Sequence, residues 1–216
     1  GSQSFYKCDN LLSVTILGDI LNSGNNIFSY CGNLQNVLIY GNLLSIESYM
    51  FKNCMNLTHF TVYGNVSMIN NMAFDNCYKL ESILLNGDNI SIGIYAFQNC
   101  YNLKSATFPG NVSLIDSYAF YNCISLKDFV IPGNVSSIGY RSFENCNNLT
   151  SIIIPKNVKS IDGEAFSSCI SLESATIHGD IIEMDSNVFK DCINLVSVLI
   201  DGNVSSIGSS MFANCI

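Results

Sequence analysis

The stretch "LKSATFPGNVSLIDSYAFYNCIS", Leu103–Ser125, is one copy of a pattern that runs through the whole chain. Phenylalanine stands at 5, 28, 51, 74, 97, 120, 143, 166, 189 and 212, and cysteine at 8, 31, 54, 77, 100, 123, 146, 169, 192 and 215. Both series keep a 23-residue period without an insertion, so repetition decides the fold before any local propensity does. Counting from the leucine that opens each unit (Leu11, Leu34 and so on to Leu195), apolar residues recur at positions 1, 4, 6, 10, 13, 18 and 21.

Each unit has a physical reading. Positions 4 and 6, such as Phe129 and Ile131, alternate with polar or threonine neighbours, the period of a half-buried strand. Position 8 is glycine except at Lys156, and position 9 is always Asn or Asp, a turn signal after a strand. The segment after position 13, such as Asp116–Phe120, reads as a short helical turn with Asp116 as N-cap. A unit this small cannot bury its apolar side alone, so the units stack into a solenoid with parallel strands roughly 4.8 Å apart. The expectation is a solenoid of about nine 23-residue coils, with a concave strand face and bulkier helical turns on the convex side. Residues 1–4 read as a linker or cloning scar and 5–216 as a single solenoid cut from a longer array. Its uncapped ends are expected to offer open strand edges for end-to-end association.

Composition narrows the function classes. Of 216 residues, 48% are hydrophobic and only 12% charged, yet polar residues interrupt even the longest uncharged run, Ile20–Ile46, so no continuous span for a membrane exists. A net charge of −8 argues against nucleic acid or an anionic membrane as partner.

The ten cysteines, as in "FENCNNL" (Phe143–Leu149), could be metal ligands, disulfides, nucleophiles or packing. No two lie closer than 23 residues, unlike the paired spacing of zinc sites. Side chains in register on stacked coils keep their Cβ atoms about 4.8 Å apart or more, whereas a disulfide needs about 3.8 Å. His59 and His178 are too few to activate ten nucleophiles. The cysteines are therefore read as buried free thiols acting as small hydrophobes. Catalytic motifs are lacking, no cofactor is expected, and the chain is read as no enzyme. Asp162 and Asp185, with Glu164 and Glu183 nearby, raise the question of calcium, but solvated acids at helix starts are the favoured reading and no metal site is assigned.

"LKSATFPGNVSLIDSYAFYNCIS" resembles the BspA-like class of leucine-rich repeats, and the resemblance covers Phe5 to Cys215. The proline that the class carries at the strand exit survives only as Pro109, Pro132 and Pro155. The resemblance implies a non-enzymatic, parallel-stranded solenoid at a cell surface or secreted, whose relatives with assigned roles are mostly adhesins for host matrix proteins or other cells. An intracellular repeat scaffold, consistent with reduced thiols, is the alternative; a structural spacer is a third reading.

If there is a binding surface, the outward strand positions supply it: Leu38, Thr61, Leu84, Thr107, Val130, Ile153, Thr176 and Leu199 at position 5, with Tyr40 and Tyr63 at position 7. An exposed aliphatic and aromatic run suits a protein or glycan partner on host or neighbouring cells, though β propensity alone produces similar residues. Tyr49, Tyr95 and Tyr118 share position 16 and could stack or meet a partner. Seven N-x-S/T sequons, at Asn56, Asn65, Asn89, Asn111, Asn134, Asn148 and Asn203, are either glycosylation acceptors or a by-product of the repeated G-N-V-S turn.

Overall fold

The computed structural model describes every residue from Gly1 to Ile216, and the chain winds as a solenoid with three sides. The first side is the expected strand face: β1 (Ser13–Ile16), β2 (Asn36–Ile39), β4 (His59–Val62), β6 (Ser82–Leu84), β8 (Ser105–Thr107), β11 (Ser151–Ile154), β13 (Ser174–His178) and β15 (Ser197–Asp201). Neighbours pair in parallel one period apart, Ser13 with Asn36 and Ile16 with Ile39 for example. This face is two sheets, β1-β2-β4-β6-β8 and β11-β13-β15, because the coil between them has no strand at Asp128–Pro132.

The second side carries a sheet that the sequence reading lacks: β3 (Leu43–Ile46), β5 (Val66–Ile69), β7 (Ile90–Ile92), β9 (Val112–Ile115), β10 (Ser137–Ile138), β12 (Ser160–Ile161) and β14 (Glu183–Met184). Its inward residues are positions 10 and 13, as in Val112 and Ile115, three apart and not two, so alternation does not mark it. One coil departs from the apolar pattern with Asn89 at position 10. The chain answers with a bulge in which Asn89 takes a left-handed φ of 59° and Ile90 moves up to pair with Val112.

The third side corrects an expectation. Positions 14–22 form no helix but a chain of turns, with residues 16 and 20 left-handed, as at Tyr118 (φ 58°) and Asn122 (φ 60°). Positions 16, 18 and 20 donate their N–H to the next coil, Tyr49 to Asn71 (3.1 Å), Phe51 to Ala73 (2.8 Å), Asn53 to Asp75 (2.8 Å), whereas position 14 donates to the preceding one, as Asp116 does to Ile92 (3.0 Å). Odd positions bond back three residues within their own coil, as in Lys52 to Tyr49 (3.1 Å) and Cys54 to Phe51 (3.0 Å). The reason is spacing. Stacked phenylalanine rings along the array lie 5.1–5.7 Å apart, about half the roughly 10 Å diameter of an α-helix, so one helix per coil does not fit. Asp116 serves as a turn cap, its Oδ1 accepting from the Ser117 N–H at 2.7 Å. Without helical turns to splay the third side, the reason given for a concave strand face no longer applies.

Three side-chain ladders fill and fasten the coils. The phenylalanines from Phe5 to Phe212 stack ring on ring, interplanar angles 5–14°. At position 20, Asn76, Asn99, Asn122 and Asn145 each donate Nδ2 to the Oδ1 of the asparagine one coil earlier, all at 2.8 Å. Asparagine tolerates the left-handed backbone of that position better than most residues. The cysteines occupy the corner between them, and all ten are free thiols, eight of them buried. Nine of them donate Sγ–H to the carbonyl of the phenylalanine 26 residues back, as Cys100 does to Phe74 (3.3 Å) and Cys123 to Phe97 (3.2 Å). Packing is the right reading of these thiols, and the hydrogen bond adds a reason for cysteine over alanine. Burial pushes the Cys192 thiol up to about 12 and drives Cys77, Cys123 and Cys169 well above the usual thiol range.

A small thiol reagent will label Cys8 and Cys215, the two half-buried thiols, in native protein, and the other eight only after unfolding; rapid native labelling of all ten would contradict the burial. Because the folded state holds these protons above the unfolded thiol value of about 8.5, their contribution to stability is complete below that pH and is lost progressively as pH rises from it toward the raised folded values. The urea midpoint should therefore fall between neutral pH and pH about 10, well above the unfolded thiol value. Asn99→Ala removes two ladder bonds at a left-handed residue and should cost about 1–3 kcal/mol, with Asn99→Gly costing less because glycine keeps the backbone. Equal urea midpoints for Asn99→Ala and wild type would show that the ladder adds nothing.

Candidate functional site

The strand face presents position 5 outward because positions 4 and 6 on either side point into the core. Register brings Leu38 beside Thr61, Leu84 beside Thr107, and Ile153 beside Thr176 and then Leu199. Val130, in the strandless coil, pairs with nothing and is 84% exposed. Leu84, Thr107, Ile153 and Leu199 are exposed, whereas Leu38, Thr61 and Thr176 are half-buried. The predicted column is thus present but interrupted. Tyr40 and Tyr63, 51% and 59% exposed, stack at 4.9 Å on its N-terminal flank.

Two sequence features explain the interruption, and neither stands out in the sequence by itself. Where position 7 is tyrosine, its N–H donates across coils, Tyr40 to Ile16 and Tyr63 to Ile39, both at 2.9 Å. Pro109, Pro132 and Pro155 hold the same position around the break and have no N–H to give. Position 4 is Phe only at Phe60 and Phe129. Each ring wedges edge-on or tilted against two successive rings of the phenylalanine ladder, Phe60 against Phe51 and Phe74, Phe129 against Phe120 and Phe143, at 5.0–5.1 Å, while those ladder rings stay stacked 5.2–5.3 Å apart. Beyond each wedge the strand pairing thins. β4 pairs with β2 at four residues but with β6 only through His59 and Ser82. Phe129, Val130 and Ile131 donate no backbone hydrogen bond at all, and on this side a single strand bridge, Ser105 to Asp128, links their coil to the one before. Clefts open at these places, one between Thr61 and Leu84 and two on either side of Val130.

Elsewhere the acids do not assemble as a cation site. Glu164 turns away from Asp162 to pair with Arg141 (2.8 Å), and Asp185 caps its own turn through Ser186 (2.6 Å). Burial first, then the neighbouring Asp185 and Glu183, raise the Asp162 carboxyl above its usual range, and no group of three ligating side chains is arranged around a metal position. Asp162 is half-buried beside a turn and no helix starts there, so the picture of solvated helix-start acids does not hold for it. On the turn side Tyr95 and Tyr118 stack at 4.6 Å and Tyr140 meets Tyr118 edge-on at 5.4 Å, with Arg141 lying 5.0 Å over the Tyr140 ring. Tyr49, two coils from Tyr95, takes Lys52 as its neighbour instead (5.5 Å). His59 and His178 lie at the surface beside Thr58 (2.8 Å) and Asp201 (3.4 Å). Of the sequon asparagines, Asn65, Asn89, Asn111, Asn134, Asn148 and Asn203 are exposed. Asn56 is half-buried and commits its Nδ2 to the Gly32 carbonyl at 2.7 Å.

No helix is long and apolar enough to cross a membrane. Among solved structures, a leucine-rich repeat protein from Bacteroides ovatus superposes with a TM-score of 0.70 at 21% identity, over 100% of this chain and 67% of that one. A T. pallidum leucine-rich repeat protein gives a TM-score of 0.57 at 26% identity, over 67% of this chain and 66% of that one. The chain therefore spans about two thirds of each. No curated protein matches it significantly. The BspA type leucine rich repeat region matches in six copies over residues 1–127 and 113–216, and with a 23-residue period unbroken from Phe5 to Cys215 the chain belongs to that family.

Proposed function

We propose that this array is a non-enzymatic binding module displayed at a cell surface, which attaches to protein or glycan partners on host or neighbouring cells through its strand face. The supporting observation is the outward column at position 5, with the stacked Tyr40–Tyr63 pair beside it, held on a scaffold fastened along three sides. Stacked tyrosines offer a large, stiff contact at small entropic cost. A repeat scaffold for protein partners inside the cell is the second reading, and the ten free thiols favour it.

Two experiments separate these readings. An antibody to the array should label intact source cells as strongly as permeabilised ones; labelling only after permeabilisation selects the intracellular scaffold. Beads coated with the Tyr40→Asp/Tyr63→Asp variant should bind partner cells about tenfold more weakly than wild-type beads, with unchanged circular dichroism. Equal attachment removes the N-terminal half of the strand face from the reading. The exposed sequons are read as acceptors if the source exports the chain through a eukaryotic secretory pathway. Secreted protein should then lose mass on treatment with an N-glycosidase, and Asn56 should stay unmodified.

A further inference from the structure

The break at Asp128–Pro132 leaves backbone polar groups that no neighbouring coil can reach. The other two sides fix the coil spacing there as elsewhere: Phe120 donates to Ser142 (2.7 Å), Phe143 donates to Ala165 (2.8 Å), and Ile138 pairs with Ile115 and Ile161. A further strand cannot enter between coils so held. The N–H groups of Phe129, Val130 and Ile131 therefore face clefts open to the outside, where water or a ligand must satisfy them. The apolar part of the cleft walls comes from Val130, Ile153, Pro132, Pro155 and Phe108, alongside the hydroxyl residues Ser105, Thr107 and Ser151. The one charged group common to both clefts is Asp128. It has neither an ion pair nor a side-chain hydrogen bond, whereas Lys104 is taken by Glu81 at 3.1 Å. In a chain of net charge −8, an unpaired carboxylate beside an apolar cleft complements a cation joined to an apolar group.

We propose that this break is where the strand face takes hold of an extended polypeptide segment, seating an aliphatic or aromatic side chain beside Val130 and a lysine or arginine on Asp128. The proposal rests on reading the strand face as the binding face, and it names a place and a chemistry within it. The second wedge, Phe60, opens its own cleft beside Leu84. It lies three coils away, about 14 Å at strand spacing, the reach of about four extended residues. A segment running along the solenoid axis can therefore fill both clefts, with its main-chain carbonyls available to the unpaired N–H groups.

The test uses the full chain, ¹⁵N-labelled, and two capped peptides, acetyl-Gly-Leu-Arg-Leu-Gly-amide and its Glu counterpart. The Arg peptide should shift amides of Ser105–Phe108, Asp128–Ile131 and Ser151–Ile154 saturably, and bind about tenfold or more tightly than the Glu peptide. Asp128→Asn should abolish that preference. Phe129→Ile with Pro132→Tyr, which removes the wedge and restores the missing donor, should slow hydrogen exchange at residues 129–131 and abolish peptide binding; Asp128→Asn carries the test if that variant does not fold. Slow exchange at Phe129–Ile131 in wild type would overturn the proposal. So would equal affinity for the two peptides, shifts centred on Tyr40 and Tyr63, or stronger shifts of the same amides by maltopentaose or by self-association at high protein concentration. Any of these outcomes leaves the wider reading to the Tyr40→Asp/Tyr63→Asp beads, so the two can fail separately.

Discussion

The cross-coil backbone hydrogen bond is the interaction on which this structure depends. A coil of 23 residues holds too little apolar surface to fold alone, and its backbone groups find too few partners within it. Pairing with residues one period away supplies both, through the strands of the first side, those of the second, and the even-numbered N–H groups of the turns. The strict period follows. One extra residue would shift every later partner, and where the pattern slips at Asn89 the chain restores the register within the same coil by a bulge.

Once register is fixed, identical side chains meet identical side chains, which selects residues that tolerate their own copies as neighbours. Phenylalanine stacks on phenylalanine. Asparagine can give and accept at once and so forms an endless amide ladder. Cysteine is small enough for the corner and still carries a donor for the Phe carbonyl behind it. A charged residue would face a like charge in every such column, and the ladder positions 18, 20 and 21 are almost wholly neutral, with charges only at Lys7 and Asp191 near the two ends.

The first strand face, the core ladders and the outward side chains are legible in the sequence because each depends on period alone. The second sheet was not, because Val112 and Ile115 are spaced three apart and imitate a helical turn. The turns resemble helix in sequence because Asp116-Ser117-Tyr118-Ala119-Phe120 carries local helix signals, while the competing acceptor, the Ser142 carbonyl for Phe120, belongs to another coil. The break is hidden for the same reason. Pro132 is plain in the sequence, but what it withholds is a donor for a coil 23 residues earlier. Phe129 looks like a good strand residue until its ring is set against both Phe120 and Phe143.

The cross-coil hydrogen bonds of positions 16, 18 and 20 on the turn side also share one sense. From Gln3 to Asp191, every left-handed or phenylalanine N–H on that side points to the following coil and every accepting carbonyl points back. Rows of amide dipoles therefore lie head to tail along the solenoid axis, as they do along the axis of an α-helix. The asparagine ladder and the thiols run the opposite way, each donating to the preceding coil, and partly cancel that field. The stack has an electrical direction, so a coil turned upside down would bring carbonyl against carbonyl.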